Sequence, residues 1–427
     1  GYADSEAENT SATLAAGISG GADNDTIDNS AAIAAVSSAT ADAGNVTVNL
    51  AGAAPAEAGT TASAVGIGID GGAGNDTITN AGPISVASVA STDASSVTVA
   101  LIGYGDSEAD NLSMAVATGI GGGTGNDSIT NTGNITLASN STAEAGSVSI
   151  GLAGAVYGEA GTTASAAAVG LDGGAGNDTI TNSGAISAVS SAFTDSSSTG
   201  VVVAGYGESS AECTSIAAAT GISGGDGDDT IINHATGTIT LTSLATASAG
   251  SVQVGIAGAP TGNAGTKASA ATTAIEGGAG SDTIQNAAVI DVSAETSTTA
   301  DSTTVGIFGT ADADIDTTAT TLARGITGDA GDDTIANTGT INVASSSAMT
   351  LDAYAFDFGG SAGGQGTLQA YSGAVGISGG SGSDTIDNQG AISVSSTAAM
   401  TVKGGSDVAF GTAAAGAFDW EWQPGTA

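Results

Sequence analysis

The feature that most constrains this sequence is a repeat of about 51 residues. Its best-preserved part is a glycine-rich segment, of which one copy reads Gly71-Gly72-Ala73-Gly74-Asn75-Asp76. The aspartate of this segment occurs eight times, at steps of 51, 51, 51, 51, 53, 51 and 51 residues: Asp25, Asp76, Asp127, Asp178, Asp229, Asp282, Asp333 and Asp384. A period held over eight copies is typical of proteins in which each unit packs on its neighbours. The repeat therefore overrides the two or three globular domains that 427 residues would otherwise suggest.

The residues around each aspartate indicate strands separated by corners. An isoleucine stands two positions after the aspartate and an asparagine two further on, as in Asp178, Ile180 and Asn182. Side chains two apart on a strand share a face, so these three are expected to point the same way. Later stretches such as 147–152 alternate between apolar and small residues with a period of two. The alanine-rich stretch 163–169 has helical propensity, but its place between strands favours a strand.

These patterns predict an all-β protein, a single elongated parallel β-helix or β-solenoid of eight ~51-residue repeats. One coil of 51 residues would have a perimeter of about 170 Å at about 3.3 Å per residue, which is too wide for small side chains to fill. Aromatic residues make up only 3% of the chain. We therefore expect about two coils per repeat, with three as the alternative, and a rod about 80 Å long at about 4.8 Å per coil.

Two departures from the simple period define the organisation further. The 53-residue step places a two-residue insertion between Asn233 and Ile239, and the lone histidine, His234, is expected to be solvated there without a catalytic role. A super-period of 102 residues relates Tyr2, Tyr104 and Tyr206, which indicates that alternate repeats differ on one face. We assign residues 1–410 to the repeat domain. Residues 411–427, which contain both tryptophans, are expected to form a cap or a contact with another subunit.

Charge and cysteine content exclude several classes of function. Three basic residues against 43 acidic ones give a formal charge of −40, so neither nucleic acid nor an anionic membrane surface is an expected partner. No run of 18 apolar residues is present, so no membrane insertion is expected. Bound divalent cations are the simplest way to neutralise such a chain. Cys213 occupies the repeat position of Asn9 and Asn111, which favours an inert thiol.

The segment 173–181 matches the nonapeptide G-G-x-G-x-D-x-U-x. It resembles the repeats-in-toxin family of secreted calcium-binding β-rolls. The resemblance implies Ca²⁺ bound by turn carbonyls and by the aspartate series: Asp25, Asp76, Asp127, Asp178, Asp229, Asp282, Asp333 and Asp384. The motif occurs once per repeat here, whereas in that family the motifs follow one another directly. The alternative is a metal-free corner held by side-chain to backbone hydrogen bonds, the arrangement that we expect for the asparagine series.

The segment 178–186 also resembles the β-helical passenger regions of bacterial autotransporters and large surface adhesins, which implies an extracellular or cell-surface location. We therefore expect a secreted structural or adhesive protein, not an enzyme, stiffened by calcium and self-associating into a fibre or layer or forming an adhesin stalk. An ice- or carbohydrate-binding solenoid is the alternative, through a rank formed by Thr77, Ser128, Thr179 and Thr230, although one residue per 51 looks sparse. A polysaccharide lyase or epimerase is less favoured because the basic residues are scattered.

Overall fold

The chain folds into a parallel β-solenoid in which each 51-residue repeat is one coil. The computed structural model describes residues 1–409, 412–413 and 419–420. Neighbouring strands pair residues one repeat apart, as in Ser5 with Ala56 and Ile84 with Ile135. The predicted all-β parallel solenoid of eight repeats is confirmed. The prediction of about two coils per repeat is wrong, and the eight coils span about 35 Å along the axis at about 4.8 Å each, not about 80 Å.

Each coil has the same parts in the same order: a first long strand, a glycine-rich turn, a short strand and a second long strand. In most coils the second long strand runs without a break into the first long strand of the next coil. The bend between them is a glycine with positive φ, such as Gly103 at 127°, a conformation that a side chain would strain. We number the coils 1 to 8 from these bends, so that coil 3 spans residues 103–153.

The short strands form an eight-stranded parallel sheet. They are β2 (Thr26–Asn29), β5 (Thr77–Asn80), β7 (Ser128–Asn131), β9 (Thr179–Asn182), β11 (Thr230–Asn233), β13 (Thr283–Asn286), β15 (Thr334–Asn337) and β19 (Thr385–Asn388).

The remaining fourteen strands form the second sheet, also parallel. They are β1 (Ser5–Ala22), β3 (Ile33–Asn49), β4 (Gly52–Ala73), β6 (Ile84–Thr124), β8 (Ile135–Ala175), β10 (Ile186–Asp226), β12 (Ile239–Ala279), β14 (Ile290–Ala330), β16 (Ile341–Asp357), β17 (Ser361–Gly363), β18 (Gly366–Ser378), β20 (Ile392–Val408), β21 (Thr412–Ala413) and β22 (Asp419–Trp420). The stretch 163–169 lies within β8, as predicted.

A coil this long can be filled because it is flattened. The two long strands of coil 3 face each other closely enough for Ser139 Oγ to donate to the carbonyl of Ala115, 24 residues earlier, at 2.8 Å. Ser147 Oγ reaches the carbonyl of Ser107, 40 residues earlier, at the same distance. The interior between the long strands is therefore only as thick as two small side chains. The two-coil prediction failed because it assumed a round cross-section.

Larger apolar side chains gather at the end of the coil that carries the short strand. In coil 3, Ile120, Ile129 and Ile135 are all fully buried there, and every coil repeats these positions. Fully burying one such side chain is worth roughly 1.5–3 kcal/mol relative to exposure. The interior is thus thicker beside the glycine-rich turn and thin elsewhere. The turn therefore lies next to the largest buried apolar side chains.

The two-residue insertion lies where the sequence predicted it. In coil 5 the chain makes an extra turn after Asn233, closed by a 2.8 Å hydrogen bond from the N–H of Gly237 to the carbonyl of His234. His234 is exposed. Regular pairing resumes at Ile239, which is aligned with Ile186 and Ile290.

Two further predictions concern the C-terminal tail and the membrane. The four described residues of the tail pair with β17 and β18. The rest of 411–427, and with it the predicted cap or subunit contact, lies outside the described residues. Within the described part of the chain, no helix has the length and apolar character needed to cross a membrane.

Candidate functional site

The repeated aspartates form a ladder of hydrogen bonds along the axis. The glycine-rich turn requires positive φ at two positions, such as Gly72 at 100° and Gly74 at 130°, and it delivers the aspartate to the inside of the corner. Where the motif departs from glycine, Asp23 and Asp329 adopt the same left-handed conformation.

Each aspartate of the ladder receives a hydrogen bond from the backbone of the preceding coil. The N–H of Asp76, for example, donates to Oδ1 of Asp127 at 2.7 Å. Seven such bonds, of 2.7–3.0 Å, join the eight aspartates. Oδ1 of each aspartate after Asp25 is therefore committed to the backbone N–H of the coil before it.

The second carboxylate oxygen is buried without a hydrogen-bond partner. This holds for Oδ2 of seven ladder residues: Asp25, Asp76, Asp127, Asp178, Asp229, Asp282 and Asp333. Each oxygen lies against the glycine five residues earlier, and a Cβ placed on Gly173 would lie 2.6 Å from Oδ2 of Asp178. The first glycine of the motif thus makes room for the carboxylate, and a buried acceptor without a donor is energetically costly.

Burial raises the pKa of three aspartates in the middle of the ladder, which favours the neutral carboxylic acid. It raises the pKa of Asp229 to about 7 and the pKa values of Asp178 and Asp282 to about 6. The backbone N–H that each Oδ1 accepts opposes this shift, and the negative charge of neighbouring aspartates adds to it. These three groups therefore change from the protonated to the ionised form between about pH 5 and pH 8, well above the range of an exposed aspartate.

This arrangement does not fit the calcium site that the repeats-in-toxin resemblance implies. Calcium takes six to eight oxygen ligands, but each ladder aspartate from Asp76 to Asp333 offers one uncommitted carboxylate oxygen. Turn carbonyls accept hydrogen bonds along the axis instead, as Ala175 does from the N–H of Gly125 at 2.7 Å. Among the described residues, no three or more aspartate, glutamate, histidine or cysteine side chains are grouped to hold a metal ion. The hydrogen bond from each backbone N–H to Oδ1 is of the side-chain to backbone kind that the alternative, a corner held by such bonds, requires.

The asparagine series forms a second, fully satisfied ladder. Nδ2 of Asn182 donates to Oδ1 of Asn233 and to the carbonyl of Gly184, both at 2.9 Å. Its own Oδ1 accepts from Asn131 at 2.8 Å. Seven amide-to-amide bonds of 2.7–2.9 Å run through the eight coils. The side-chain to backbone bonds, such as that to Gly184, are those predicted from the sequence, and the amide-to-amide bonds between coils are an addition.

The hydroxyl rank on the outside of the short strands is denser than the sequence suggested. Because one repeat is one coil, Thr77, Ser128, Thr179 and Thr230 lie on directly paired strands, about 4.8 Å apart. The rank continues through the other coils with Thr26, Thr283, Thr334 and Thr385. All eight side chains are exposed or half-buried. The prediction that a 51-residue spacing is too sparse for an array is therefore wrong.

The 102-residue super-period corresponds to an alternation of acidic residues and glycine on the first long strands. Odd-numbered coils carry an acidic residue at one exposed position, and even-numbered coils 2, 4 and 6 carry glycine there: Glu8, Gly59, Asp110, Gly161, Glu212, Gly265 and Asp316. The glycines open a shallow acidic groove of about 520 Å³ across coils 1 to 5. Burial, and then the neighbouring Asp110, raise the pKa of Glu108 beside this groove to about 7. These residues are neighbours only because each repeat forms one coil, so the sequence alone could not show that they lie together.

The other reactive side chains do not come together in the described part of the chain. Lys267, Arg324 and Lys403 belong to coils 6, 7 and 8, and Lys403 forms an ion pair with Asp352 at 3.6 Å. Cys213 is buried in register with Thr162 and donates to the carbonyl of Ser248 at 2.7 Å. Burial raises the pKa of this thiol, which makes it a weak nucleophile, as predicted.

Comparisons with protein-family models, with curated proteins and with solved structures each found no match. The similarity to calcium-binding β-rolls and to surface adhesins consequently rests on the motif and the period alone.

Proposed function

We propose that this chain is a structural or adhesive segment of a secreted or surface-displayed bacterial assembly, such as a fibre, a surface layer or an adhesin stalk. The observation that supports this best is the uniformity of the coils. All eight contribute to the same two ladders, and no coil among the described residues adds a cluster of reactive side chains of its own. A chain built in this way offers a regular surface and a stiff body.

Stiffness follows from the way in which the coils are joined. Every coil is tied to the next by backbone pairing of its long and short strands, by one aspartate bond and by one asparagine bond. Bending the axis would require these bonds to lengthen together on one side. The formal charge of −40 suits exposure to solvent and resists non-specific aggregation.

The experiment that tests this proposal is localisation in the producing organism. Antibodies against the chain should label intact cells or appear with extracellular fibres in immunogold electron microscopy, and external protease should remove the signal. A cytoplasmic marker labelled only after lysis is the control. Labelling of this chain that also requires lysis would rule the proposal out.

A second candidate function, binding of ice or of an extended carbohydrate, is favoured by the hydroxyl rank. Its spacing of about 4.8 Å presents a regular row of hydroxyls that a crystalline or polymeric ligand can match. The double variant Thr77→Lys with Thr179→Lys disrupts this rank. The matched control is Thr136→Lys with Thr240→Lys, two exposed threonines on the second long strands. Inhibition of ice recrystallisation, or retention on a glycan array, should be lost only in the first variant. A wild-type protein with neither activity would remove this candidate.

Neither proposal includes calcium bound by the aspartate series, because that series offers too few free oxygen ligands. A lyase or epimerase is less favoured because the three basic residues of the chain, Lys267, Arg324 and Lys403, lie in three different coils.

A further inference from the structure

An exposed apolar surface runs along one edge of the solenoid. It occupies the outer face of the second long strands at their C-terminal ends, and in coil 3 it consists of Val148, Ile150 and Leu152. The same three positions in coils 1 to 7 define the apolar band: Val46, Val48, Leu50, Val97, Val99, Leu101, Val148, Ile150, Leu152, Thr199, Val201, Val203, Val252, Val254, Ile256, Thr303, Val305, Ile307, Tyr354, Phe356 and Phe358. Nineteen of these 21 residues are apolar.

The band is uncharged on a highly acidic molecule. None of its 21 positions is acidic or basic, although the whole chain carries 43 carboxylates. The adjoining exposed position on the same strands is glycine or serine in coils 1 to 5, as at Ser95, Gly146 and Ser197. In coils 6 and 7 the same position is acidic, at Asp301 and Asp352, so two copies can approach each other without facing rows of carboxylates at this position along coils 1 to 5.

The size of the band is that of a protein interface. Alternate residues on a strand lie about 6.6 Å apart, so three positions across seven coils cover roughly 20 Å by 34 Å, or about 700 Å². The largest apolar patch on a typical monomer is about 300–600 Å², and a standard interface buries about 800 Å² on each partner. Many of the band's side chains are well exposed, among them Leu152 at 50% and Leu50 at 75%.

We propose that the apolar band is the face through which two copies of this chain pair side by side. The partner is a second copy because its band repeats with the same spacing of about 4.8 Å, so side chains can interdigitate in every coil as in stacked β-sheets. If a two-fold axis relates the two copies, the band of one copy packs against the band of the other. A charged partner finds no complementary group in the band, and an anionic membrane is repelled by the chain as a whole. This inference deepens the proposed structural role by naming the lateral contact of the assembly.

Sedimentation equilibrium of the full chain tests the proposal, at 1–100 μM in about 0.15 M and about 0.5 M salt. Wild-type protein should form dimers, and more of them at the higher salt, because salt screens the repulsion between two strongly acidic copies. The variant Leu152→Lys with Ile256→Lys places charge in the band on coils 3 and 5. Its dimer dissociation constant should rise at least tenfold.

The matched control is Val89→Lys with Val189→Lys, which adds the same charge outside the band, at valines of the second long strands of coils 2 and 4 that are 39% and 44% exposed. It should dimerise within about threefold of wild type, and circular dichroism should show full β structure in both variants. A wild-type protein that stays monomeric at 100 μM in both salts overturns the proposal, as does an equal loss of dimer in both variants. Monomer that floats with neutral phosphatidylcholine vesicles would assign the band to a lipid surface instead. The two proposals can fail separately. If the chain is a monomer but is displayed on cells, only the pairing proposal is wrong. If it is a dimer but is found in the cytoplasm, only the proposed surface role is wrong.

Discussion

The backbone N–H of Asp178 donates a 2.7 Å hydrogen bond to Oδ1 of Asp229 in the next coil, while Oδ2 of Asp229 is buried without a partner. One carboxyl group thus stabilises the stacking of two coils through one oxygen and opposes it through the other. The balance depends on whether the group is ionised, because the buried charge is the costly form.

Stability should therefore fall as the pH rises from about 4 to about 7. An unfolded aspartate has a pKa near 3.9, whereas burial raises those of Asp178, Asp229 and Asp282 to about 6 or 7. The folded state then binds more protons than the unfolded state in this range, so each step up in pH favours unfolding. We expect a higher melting temperature at pH 5 than at pH 8 at constant ionic strength, measured by circular dichroism. A melting temperature that increases between these pH values would contradict this account.

Replacing one carboxylate by an amide separates its two roles. In Asp229→Asn the side-chain oxygen can still accept from the N–H of Asp178, but no charge can form in the corner. We expect unchanged or higher stability at pH 8 and a weaker pH dependence. Asp229→Ala removes the acceptor as well and leaves a buried N–H unpaired, at a cost of about 1–3 kcal/mol. Urea denaturation at both pH values distinguishes the variants, and a destabilised asparagine variant at pH 8 would argue that the charge itself is needed.

Substitutions in the asparagine ladder should lower the stability of the fold more than substitutions in the aspartate ladder. Asn182 makes three hydrogen bonds in a fully buried position, two as donor and one as acceptor. Asn182→Ala should cost about 2–4 kcal/mol, since each lost bond leaves a buried partner. Asn182→Asp should cost at least as much, because it loses both donors and adds a buried charge. If Asn182→Asp is as stable as wild type at pH 8, the asparagine ladder contributes little to the stability of the fold.

Two glycines close to the turn should respond differently to alanine. A methyl group on Gly173 would press against Oδ2 of Asp178 and the backbone of the next coil, whereas one on Gly121 would meet no atom within 4 Å. We expect Gly173→Ala to destabilise the fold by more than about 2 kcal/mol and Gly121→Ala to lie within about 0.5 kcal/mol of wild type. Thermal denaturation of the two variants provides the comparison, and equal melting temperatures would mean that the corner relaxes around the added methyl.

Calcium titration decides whether the aspartate ladder binds metal in solution. Because each coil offers one free carboxylate oxygen there, we expect the variant Asp178→Asn with Asp229→Asn to give the same calorimetric isotherm as wild-type protein. Any weak binding should come from exposed carboxylates and decline with added salt. Tight sites that disappear in the variant would restore the calcium assignment for Asp25 and its seven equivalents.

The sequence was sufficient to predict the strands, the parallel repeat, the asparagine ladder and the place of the insertion. These features depend on local patterns: a period of two along each strand, and an aspartate, isoleucine and asparagine that return at fixed steps. The inert character of Cys213 followed in the same way, because Asn9 and Asn111 occupy its position in other repeats.

The number of coils per repeat could not be read from such patterns. It depends on whether the two long strands of a coil pack closely, as Ser139 and Ala115 do, and alternating small residues are compatible with either arrangement. The dense hydroxyl rank, the acidic alternation and the apolar band all follow from the coil number, so the sequence could not reveal them. Calcium was inferred from the turn motif. The motif does not show where the aspartate points, and in the structure Oδ2 of Asp178 lies against Gly173 inside the corner.

The extra turn at His234 lengthens one coil by two residues without disturbing the pairing on either side. The corner between the short strand and the second long strand is therefore a place where the circumference of a coil is free to vary. Foreign peptides grafted at this corner in alternate coils would be displayed in a line at intervals of about 10 Å. The same freedom would let loops of different length diversify along the solenoid while its interior stays constant.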